Sequence, residues 1–296
     1  MDRALLPERI SPGMEERSPL RWVMLPGLCC QAAGGDPEWA DDLSSAWFLF
    51  YSAAHLMDSI EDRDDPHPWW AEIGPGAAIN VASGLYFSAS LAINSLNQKL
   101  TTPETTTEVT DEFYRTMLAM CAGQQRDLDN PTPELAQYWQ IAAEKSGLFF
   151  ALACRSGARL ATQDSSRING FNQFGHHLGV LIQVLDDLAE WQDSEEKPKL
   201  NIRDNISRTL PVIYALEVMP PTDRFRLREI LQEQEGDERL SKEFRDLVEG
   251  CGAPVYMMTE IEHHTNLAKI GLEHAAPLHP AGKNLVTLLD DLVTKT

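Results

Sequence analysis

The sequence predicts an all-α fold, a single-domain bundle of about ten helices that spans residues 1–296. Long segments run between proline and glycine breaks, and the alternating pattern of β-strands is nearly absent. Within these segments, apolar residues recur at intervals of three and four, as one face of an α-helix requires. Two such series are Leu148, Ala151 and Leu152, and then Leu178, Ile182 and Leu185.

Prolines and glycines also predict where the helices begin and end. Helix starts are indicated by Thr132-Pro133-Glu134 and by Pro221-Thr222-Asp223, where proline and an acidic residue fall in the first turn. No segment between helices is long enough to act as a linker between domains. The breaks lie at residues 66–68, 74–76, 130–133, 220–221 and 277–282.

The chain is strongly acidic, with a formal charge of −20 at pH 7 and an isoelectric point near 4.7. This charge favours solubility and argues against nucleic acid and anionic membranes as partners, because both would repel the surface. The five cysteines are an odd number without repeating spacing, which fits reduced thiols and does not indicate zinc. Residues 1–11 resemble no signal peptide, and uncharged runs such as residues 46–57 are too short to cross a bilayer. We therefore expect a cytoplasmic protein with no transmembrane segment.

Asp58, Asp62 and Asp65 form the first acidic cluster, after the mostly apolar residues 47–57. Positions i, i+4 and i+7 share a helix face, so the three carboxylates would project together. Like charges at this spacing repel each other, and a divalent cation compensates them best. Taken alone, such a run more often forms a charged helix end in solvent.

The second acidic cluster is harder to attribute to a solvated surface. Residues 179–185 are apolar apart from Gln183 and run directly into Asp186 and Asp187, with Glu190 one turn later. A carboxylate pair at the end of a buried helix has a large desolvation cost unless it is paired or binds a metal ion. Magnesium takes one or two carboxylates and completes its octahedron with water and phosphate oxygens. Two such helices facing each other would hold magnesium ions on a diphosphate.

Two lysines lie near the acidic clusters in a chain that has few basic residues. Lys145 precedes the apolar residues 148–154, and Lys197 follows the second acidic segment at loop distance. Either lysine could neutralise a phosphate oxygen, although a single lysine is more often simply solvated.

The order of these motifs resembles that of the trans-isoprenyl diphosphate synthase (polyprenyl synthetase) family over roughly residues 21–289. Six features match the family in sequence order, which is not expected by chance. They are residues 58–62 (the first aspartate-rich motif, DDxxD), 123–128 (GQxxDL), 145–146 (Lys-Thr), 181–187 (the second aspartate-rich motif with its preceding Gln), 209–216 (TLPxxxAL), and the spacing from Lys197 to Thr209.

The resemblance implies a helical bundle around a deep central cavity, usually a homodimer, that acts on an allylic isoprenyl diphosphate. It implies that magnesium, more than one ion per site, is bound by Asp58, Asp62, Asp186, Asp187 and Glu190. It also implies a group of residues that contact the substrate or its metal ions, namely Lys145, Lys197, Arg21, Gln124, Ser146, Gln183 and Arg208.

Several positions depart from the family pattern, and most belong to the site for the second substrate, isopentenyl diphosphate. Each lost charge-assisted contact to a phosphate removes about 1.5–3 kcal/mol. We therefore expect poor elongation with isopentenyl diphosphate. The departures are Ser18 (for Lys), Tyr51 (for Gln or His), Ser59 (for Asp), His67-Pro68 (for two Arg) and Ser207 (for Lys), whereas Arg21 is retained.

The residues one and two turns before Asp58 predict the length of the substrate tail. Ala54 is small and leaves a slot on the face of Asp58, and Phe50 would form the floor of that slot. Two helical turns span about 11 Å, enough for about two to three isoprene units. A C15 tail is therefore expected, with C20 as the alternative.

Four functions remain open on this fold. The first is prenyl transfer to an acceptor other than isopentenyl diphosphate, and the second is cyclisation or hydrolysis by a terpene-synthase-like lyase. The third is transfer to a peptide tryptophan, and the fourth is a non-catalytic role as a subunit of a heteromeric synthase. The last is disfavoured, because a silent subunit need not keep the charges of Asp186, Asp187, Lys145 and Lys197.

Two further motifs receive structural interpretations. His176-His177 and His263-His264 are not expected to bind a metal ion, because adjacent histidines project from different helix faces. Trp69-Trp70 is expected to pack the loop after the prolines rather than to cover the cavity.

Overall fold

The computed structural model describes residues 22–62, 69–96, 103–130, 133–196, 206–232 and 238–294. These residues form twelve α-helices joined by turns, and none of them lies in a β-strand. The predicted all-α fold is confirmed. There are more helices than the ten expected, because short turns such as Ala143–Gly147 divide longer segments. The helices are α1 (Leu25–Ala33), α2 (Asp41–Asp62), α3 (Pro75–Ser95), α4 (Pro103–Asp129), α5 (Leu135–Ala142), α6 (Leu148–Arg159), α7 (Ser165–Glu196), α8 (Leu210–Val218), α9 (Pro221–Gln232), α10 (Glu238–Gly250), α11 (Ala253–Ala275) and α12 (Ala281–Thr294).

The predicted breaks at residues 74–76, 220–221 and 277–282 coincide with observed helix ends, whereas residues 66–68 and 131–132 lie outside the described part of the chain. Pro75 and Pro221 open α3 and α9, where the missing amide hydrogen of proline costs nothing. Glu134 caps α5, and its backbone N–H donates to Oε1 of Gln137 at 2.8 Å in a capping box. The cysteines are all free thiols.

The core is organised around α7, which packs against α6 and α11 along much of its length. Aromatic side chains fill the space between these helices and α2. The indole of Trp47 stacks on Phe149 with ring centroids 4.2 Å apart, and its Nε1–H donates to the Phe149 carbonyl oxygen at 3.0 Å. A second apolar cluster, which includes Val212, Leu227 and Phe244, holds α8, α9 and α10 together.

A π-helical turn, Ala143–Gly147, joins α5 to α6 and carries Lys145 and Ser146. Such wide turns often occur at functional sites, because they redirect side chains that a regular helix would place elsewhere. Helix α7 approaches this turn at Gly179, where an added Cβ would lie 2.2 Å from the carbonyl oxygen of Ser146. Glycine at this position therefore fixes how closely α7 lies to Lys145.

Replacing Gly179 with alanine is expected to lower the free energy of unfolding by about 1–3 kcal/mol, because the backbone of Ser146 must move to admit the methyl group. Thermal unfolding followed by circular dichroism measures the change. Gly250→Ala is the matched control, since a Cβ there meets no atom within 4 Å. Equal melting temperatures in the two variants would contradict the close approach of α7 to the π turn.

Helix α3 corrects the expectation about uncharged runs. Residues 73–98 contain no Asp, Glu, Lys or Arg, so the expectation that every uncharged run is too short to cross a bilayer is wrong. Polar but uncharged residues such as Asn80 and Ser88 lower the hydropathy of this run and conceal it. By length and composition α3 is the one candidate for a membrane span among the described helices, and 22% of its apolar window is buried.

Candidate active site

A cavity of about 570 Å³ brings the two acidic clusters together. Asp58 reaches it from α2, and Asp186, Asp187 and Glu190 reach it from α7. Every predicted site residue whose side chain the structure describes lines this cavity: Phe50, Ala54, Asp58, Gln124, Lys145, Ser146, Gln183, Asp186, Asp187, Glu190 and Arg208.

Several predicted residues lie outside the described part of the chain. Asp62 is the last residue of α2, but its side chain is not among those described. The same holds for whole residues in three segments, namely Ser18 and Arg21, then Asp65, His67 and Pro68, and finally Lys197.

Lys145 joins the first acidic cluster to Asp127 of α4. Its Nζ donates to Oδ1 of Asp58 at 3.0 Å and to Oδ2 of Asp127 at 2.8 Å. Burial by itself would lower the pKa of Lys145, but the two carboxylates outweigh burial and raise that pKa above its ordinary value. Lys145 is therefore a cation at physiological pH, held by the π turn at the edge of the acidic cavity.

Arg208 extends the same network from the 3₁₀ turn Ile206–Arg208. Its guanidinium donates to the backbone carbonyl oxygen of Asp127 at 3.0 Å and pairs with the Asp127 carboxylate. Sequence reasoning did not select Asp127, although it lies within the matched segment 123–128. The presence of an aspartate in that segment could have indicated a site residue, because Lys145 and Arg208 both pair with Asp127 in the fold.

Asp186 and Asp187 are adjacent in sequence but have different surroundings. Asp186 is exposed at the cavity, whereas Asp187 is buried. Oδ2 of Asp187 accepts hydrogen bonds from the hydroxyl of Tyr138 and the backbone N–H of Leu210, both at 2.7 Å. Oδ1 accepts a longer bond of 3.3 Å from the Gln183 amide. Burial raises the pKa of Asp187 to about 7, although the three donors oppose this rise.

Tyr138 is a site residue that the sequence did not reveal. It lies on α5, 49 residues before Asp187, and no motif spacing relates the two. The hydroxyl can reach the carboxylate only because α5 ends at the π turn beside α7.

The wall of the cavity below the carboxylates is aromatic. Phe50 is buried, with its ring 5.2 Å from Tyr86 and 6.1 Å from Phe149. Tyr51 stacks on Phe149 at 5.9 Å. Burial raises the pKa of Tyr51, and nearby carboxylates from both acidic clusters add to the effect. Ala54 is half-buried and lines the cavity together with Phe50 and Asp58, and its part as a slot for the substrate tail stays a prediction.

Ser59, which departs from the family pattern, contacts the short turn Trp69–Glu72 that follows α2. The indole Nε1–H of Trp70 donates to Oγ of Ser59 at 3.1 Å, and the ring packs against the small cluster of Leu56, Ala78 and Ala82. The sequence predicted that Trp69-Trp70 packs the loop, and this is confirmed for Trp70. The side chain of Trp69 lies outside those described.

Carboxylates outnumber cations in the described lining of the cavity. Six acidic side chains face two basic ones, Lys145 and Arg208. An excess of carboxylate oxygens, drawn here from α2, α4 and α7, is the donor set that hard divalent cations such as Mg²⁺ prefer. The residues present therefore fit magnesium.

Comparison with known proteins agrees with this geometry. The family model for polyprenyl synthetase matches residues 24–248. A short chain isoprenyl diphosphate synthase of Methanothermobacter thermautotrophicus is 27% identical over 261 residues, which are 83% of this chain and 77% of that protein. The tryptophan prenyltransferase ComQ of Bacillus subtilis subsp. natto is 26% identical over 145 residues, 49% of this chain and 43% of that protein.

The fold is also found among solved structures. A geranylgeranyl pyrophosphate synthase from Corynebacterium glutamicum, complexed with calcium and isoprenyl diphosphate, superposes with a TM-score of 0.77 at 22% identity. The match covers 96% of this chain and 87% of that one.

Proposed function

This chain belongs to the polyprenyl synthetase family of prenyltransferases, and we propose that it is a magnesium-dependent enzyme that ionises a C15 or C20 allylic isoprenyl diphosphate. Enzymes of this family use allylic diphosphates and a divalent metal ion. The observation that carries the proposal is the convergence of Asp58 and Asp186 from separate helices on one cavity with Lys145. We expect the enzyme to be cytoplasmic.

The proposed metal ligands are the acidic residues of the two clusters. More than one magnesium ion would be held by Asp58, Asp62, Asp186, Asp187 and Glu190. Bound ions supply Lewis-acid stabilisation of the departing pyrophosphate. Asp186 and Glu190 are exposed at the cavity, whereas Asp187 would ligate through Oδ1, which accepts the long bond from Gln183. The similar C. glutamicum structure is complexed with calcium and isoprenyl diphosphate, which supports a divalent cation and a prenyl diphosphate as ligands of this fold.

The proposed diphosphate site is built on the π turn. Lys145 has two carboxylate partners in the described structure, and its third ammonium hydrogen is available for a phosphate oxygen. Ser146 Oγ donates to Oε1 of Gln183 at 3.2 Å, so both side chains are positioned beside Lys145. Gln124 and Arg208 are oriented by carboxylates, since the Gln124 amide donates to Oε2 of Glu61 at 3.0 Å and Arg208 pairs with Asp127. Lys197 and Arg21 are proposed phosphate ligands on sequence grounds alone.

The aromatic wall protects the product of ionisation. Cleavage of the allylic carbon–oxygen bond sends the electron pair to the pyrophosphate and leaves a delocalised carbocation. The faces of Tyr51 and Phe149 carry negative quadrupole charge that attracts such a cation. Their stacking with Trp47 also excludes water from this end of the cavity.

We further propose that the acceptor is not isopentenyl diphosphate. Tyr51 takes the position of a hydrogen-bonding Gln or His of the family and stacks on Phe149 instead. The other replaced positions of that substrate site, such as Ser18 and His67, lie outside the described residues, so this proposal rests mainly on sequence. Similarity to the tryptophan prenyltransferase ComQ favours a peptide acceptor as the second candidate function.

Incubation with magnesium and C10, C15 and C20 allylic diphosphates tests the proposed function. Each substrate is supplied with and without isopentenyl diphosphate, and a tryptophan-containing peptide is a third arm. We expect magnesium-dependent consumption of the C15 substrate with little elongated diphosphate. Efficient elongation with a low micromolar Michaelis constant for isopentenyl diphosphate would contradict the acceptor proposal. No consumption in any arm would contradict an active enzyme.

Ala54→Phe is expected to shorten the longest accepted tail by about one isoprene unit, because one helical turn of slot is filled. Competition between C10, C15 and C20 substrates measures the change in chain length. Ser45→Phe, at an exposed position of the same helix, is the matched control and should leave the preference unchanged. An unchanged preference in Ala54→Phe would place the slot elsewhere.

We also propose that the protein is a homodimer through the apolar face of α3. Phe87 and Leu91 are one turn apart on this helix and each is 72% exposed, and Leu118 of α4 is equally exposed. Monomeric soluble proteins rarely expose large apolar patches of this kind. A second copy of the same helix covers such a patch without charge repulsion, because α3 carries no charged residue.

Light scattering after size-exclusion chromatography is expected to give a dimer for the wild type and a monomer for Phe87→Glu combined with Leu91→Glu. Phe225→Glu is the control, because Phe225 is 65% exposed on α9. A monomeric wild type, or a wild type that partitions into membranes, would contradict the dimer.

A further inference from the structure

Three metal-ligating side chains cluster on one face of α11, outside the lining of the acidic cavity. Glu260, His263 and His264 each present one ligand atom, and these atoms all lie within 4.8 Å of one another. Positions i, i+3 and i+4 share a helix face. The premise that adjacent histidines project to different helix faces therefore does not hold for His263-His264. Their imidazoles both turn toward the carboxylate one turn earlier.

A third imidazole, that of His177 on α7, supports the cluster. Nδ1 of His177 lies 3.2 Å from Nδ1 of His264, so at least one of these two nitrogens carries no proton. The His264 ring also stacks on Trp139 with ring centroids 5.5 Å apart, which limits its rotation.

We propose that Glu260, His263 and His264 bind a divalent transition-metal ion of the zinc type, with His177 orienting His264. Two imidazoles and one carboxylate are a frequent protein ligand set for zinc, which needs ligand atoms about 2.0–2.2 Å from the ion. Small side-chain rotations bring three atoms within 4.8 Å of one another to that distance. A metal-ligating imidazole is usually oriented by a hydrogen bond at its other ring nitrogen, and His177 would supply that hydrogen bond to His264. The proposed ligands in the acidic cavity are all carboxylates, which instead favour magnesium.

The bound ion would fix the contact between α5 and α11. Trp139 stacks on His264, and its Nε1–H donates to the hydroxyl of Tyr256 at 3.1 Å, one turn before Glu260. The residue before Trp139 is Tyr138, whose hydroxyl donates to Asp187. Binding of the metal ion is therefore expected to stabilise α5, the helix whose Tyr138 donates to Asp187. The proposed site does not depend on which reaction the acidic cavity catalyses.

Retention of Zn²⁺ by the full-length protein tests this site. The protein is loaded with Zn²⁺ or Co²⁺ in a large excess of Mg²⁺ and without diphosphate, so that the carboxylate cavity is occupied by the harder ion. We expect one retained transition-metal ion per chain, visible d–d absorption for Co²⁺, and a higher melting temperature. Asp186→Ala should retain the ion, which separates this site from the acidic cavity.

Variants on the cluster decide the assignment. His263→Ala removes an exposed side chain and Glu260→Gln keeps the shape of the carboxylate, so both should fold and both should lose the ion. His274→Ala, an exposed histidine on the same helix, should keep it. Absence of a stoichiometric ion in the wild type, or equal retention in His263→Ala and Glu260→Gln, would overturn the proposal.

Discussion

Asp186→Ala is expected to reduce turnover of an allylic diphosphate by about 10²–10³-fold, a loss of the size seen when one preorganised electrostatic contact to a developing charge is removed. The carboxylate is exposed at the cavity, so its removal should leave the melting temperature and the helical circular dichroism unchanged. Steady-state kcat measures the effect. Asp291→Ala, an exposed carboxylate on α12, is the matched control. Near-normal rates for Asp186→Ala would refute the metal cluster.

The neighbouring variant Asp187→Ala should behave differently. It leaves the hydroxyl of Tyr138 and the backbone N–H of Leu210 without their buried acceptor, at a cost of about 1–3 kcal/mol for each donor. We therefore expect loss of turnover together with a lower melting temperature. Identical melting temperatures for the two alanine variants would show that the buried hydrogen bonds of Asp187 contribute nothing to stability.

Lys145→Met is expected to lower kcat by about 10²–10³-fold, because the cation between Asp58 and Asp127 is lost where pyrophosphate charge develops. The long apolar side chain of methionine keeps the volume of the lysine stem. Lys269→Met is the matched control, since Lys269 pairs with Asp290 at 2.8 Å on the surface. Its kinetics should equal those of the wild type.

The kinetic pattern distinguishes catalysis from simple binding. If Lys145 stabilises the departing pyrophosphate, kcat and kcat/KM should fall together. A rise in KM with an unchanged kcat would show that the lysine only binds the ground state. That outcome would contradict its proposed part in ionisation.

Most of the fold could be predicted from the sequence because prolines and glycines mark its helix ends. Pro75 and Pro221 begin helices where the sequence breaks indicated. The convergence of Asp58 and Asp186 could also be predicted, since each follows an apolar segment that had to be buried. Helix α3 was missed because small polar residues lower the hydropathy of its uncharged run, although its length and composition allow a membrane span.

The rest of the site depends on long-range packing that spacing does not encode. The π turn at Ala143–Gly147 has no local signature, yet it aims Lys145 at Asp58. The hydrogen bond from Tyr138 to Asp187 joins α5 to α7, and the contact of His177 with His264 joins α7 to α11. Each pair meets only after the helices have packed, so periodicity along one helix cannot reveal it.

The metal-assisted binding of an allylic diphosphate in the cavity between α2 and α7 is tested most directly by calorimetric titration with an unreactive C15 analogue. A C15 allylic thiodiphosphate is a suitable analogue, because its binding requires no acceptor and the enzyme does not consume it. The wild type should bind it at least about 100-fold more tightly with Mg²⁺ than with EDTA, which corresponds to about 2.7 kcal/mol. Asp58→Ala and Asp186→Ala should lose that difference. Affinity that is the same with Mg²⁺ and with EDTA, or no binding at all, would contradict the account.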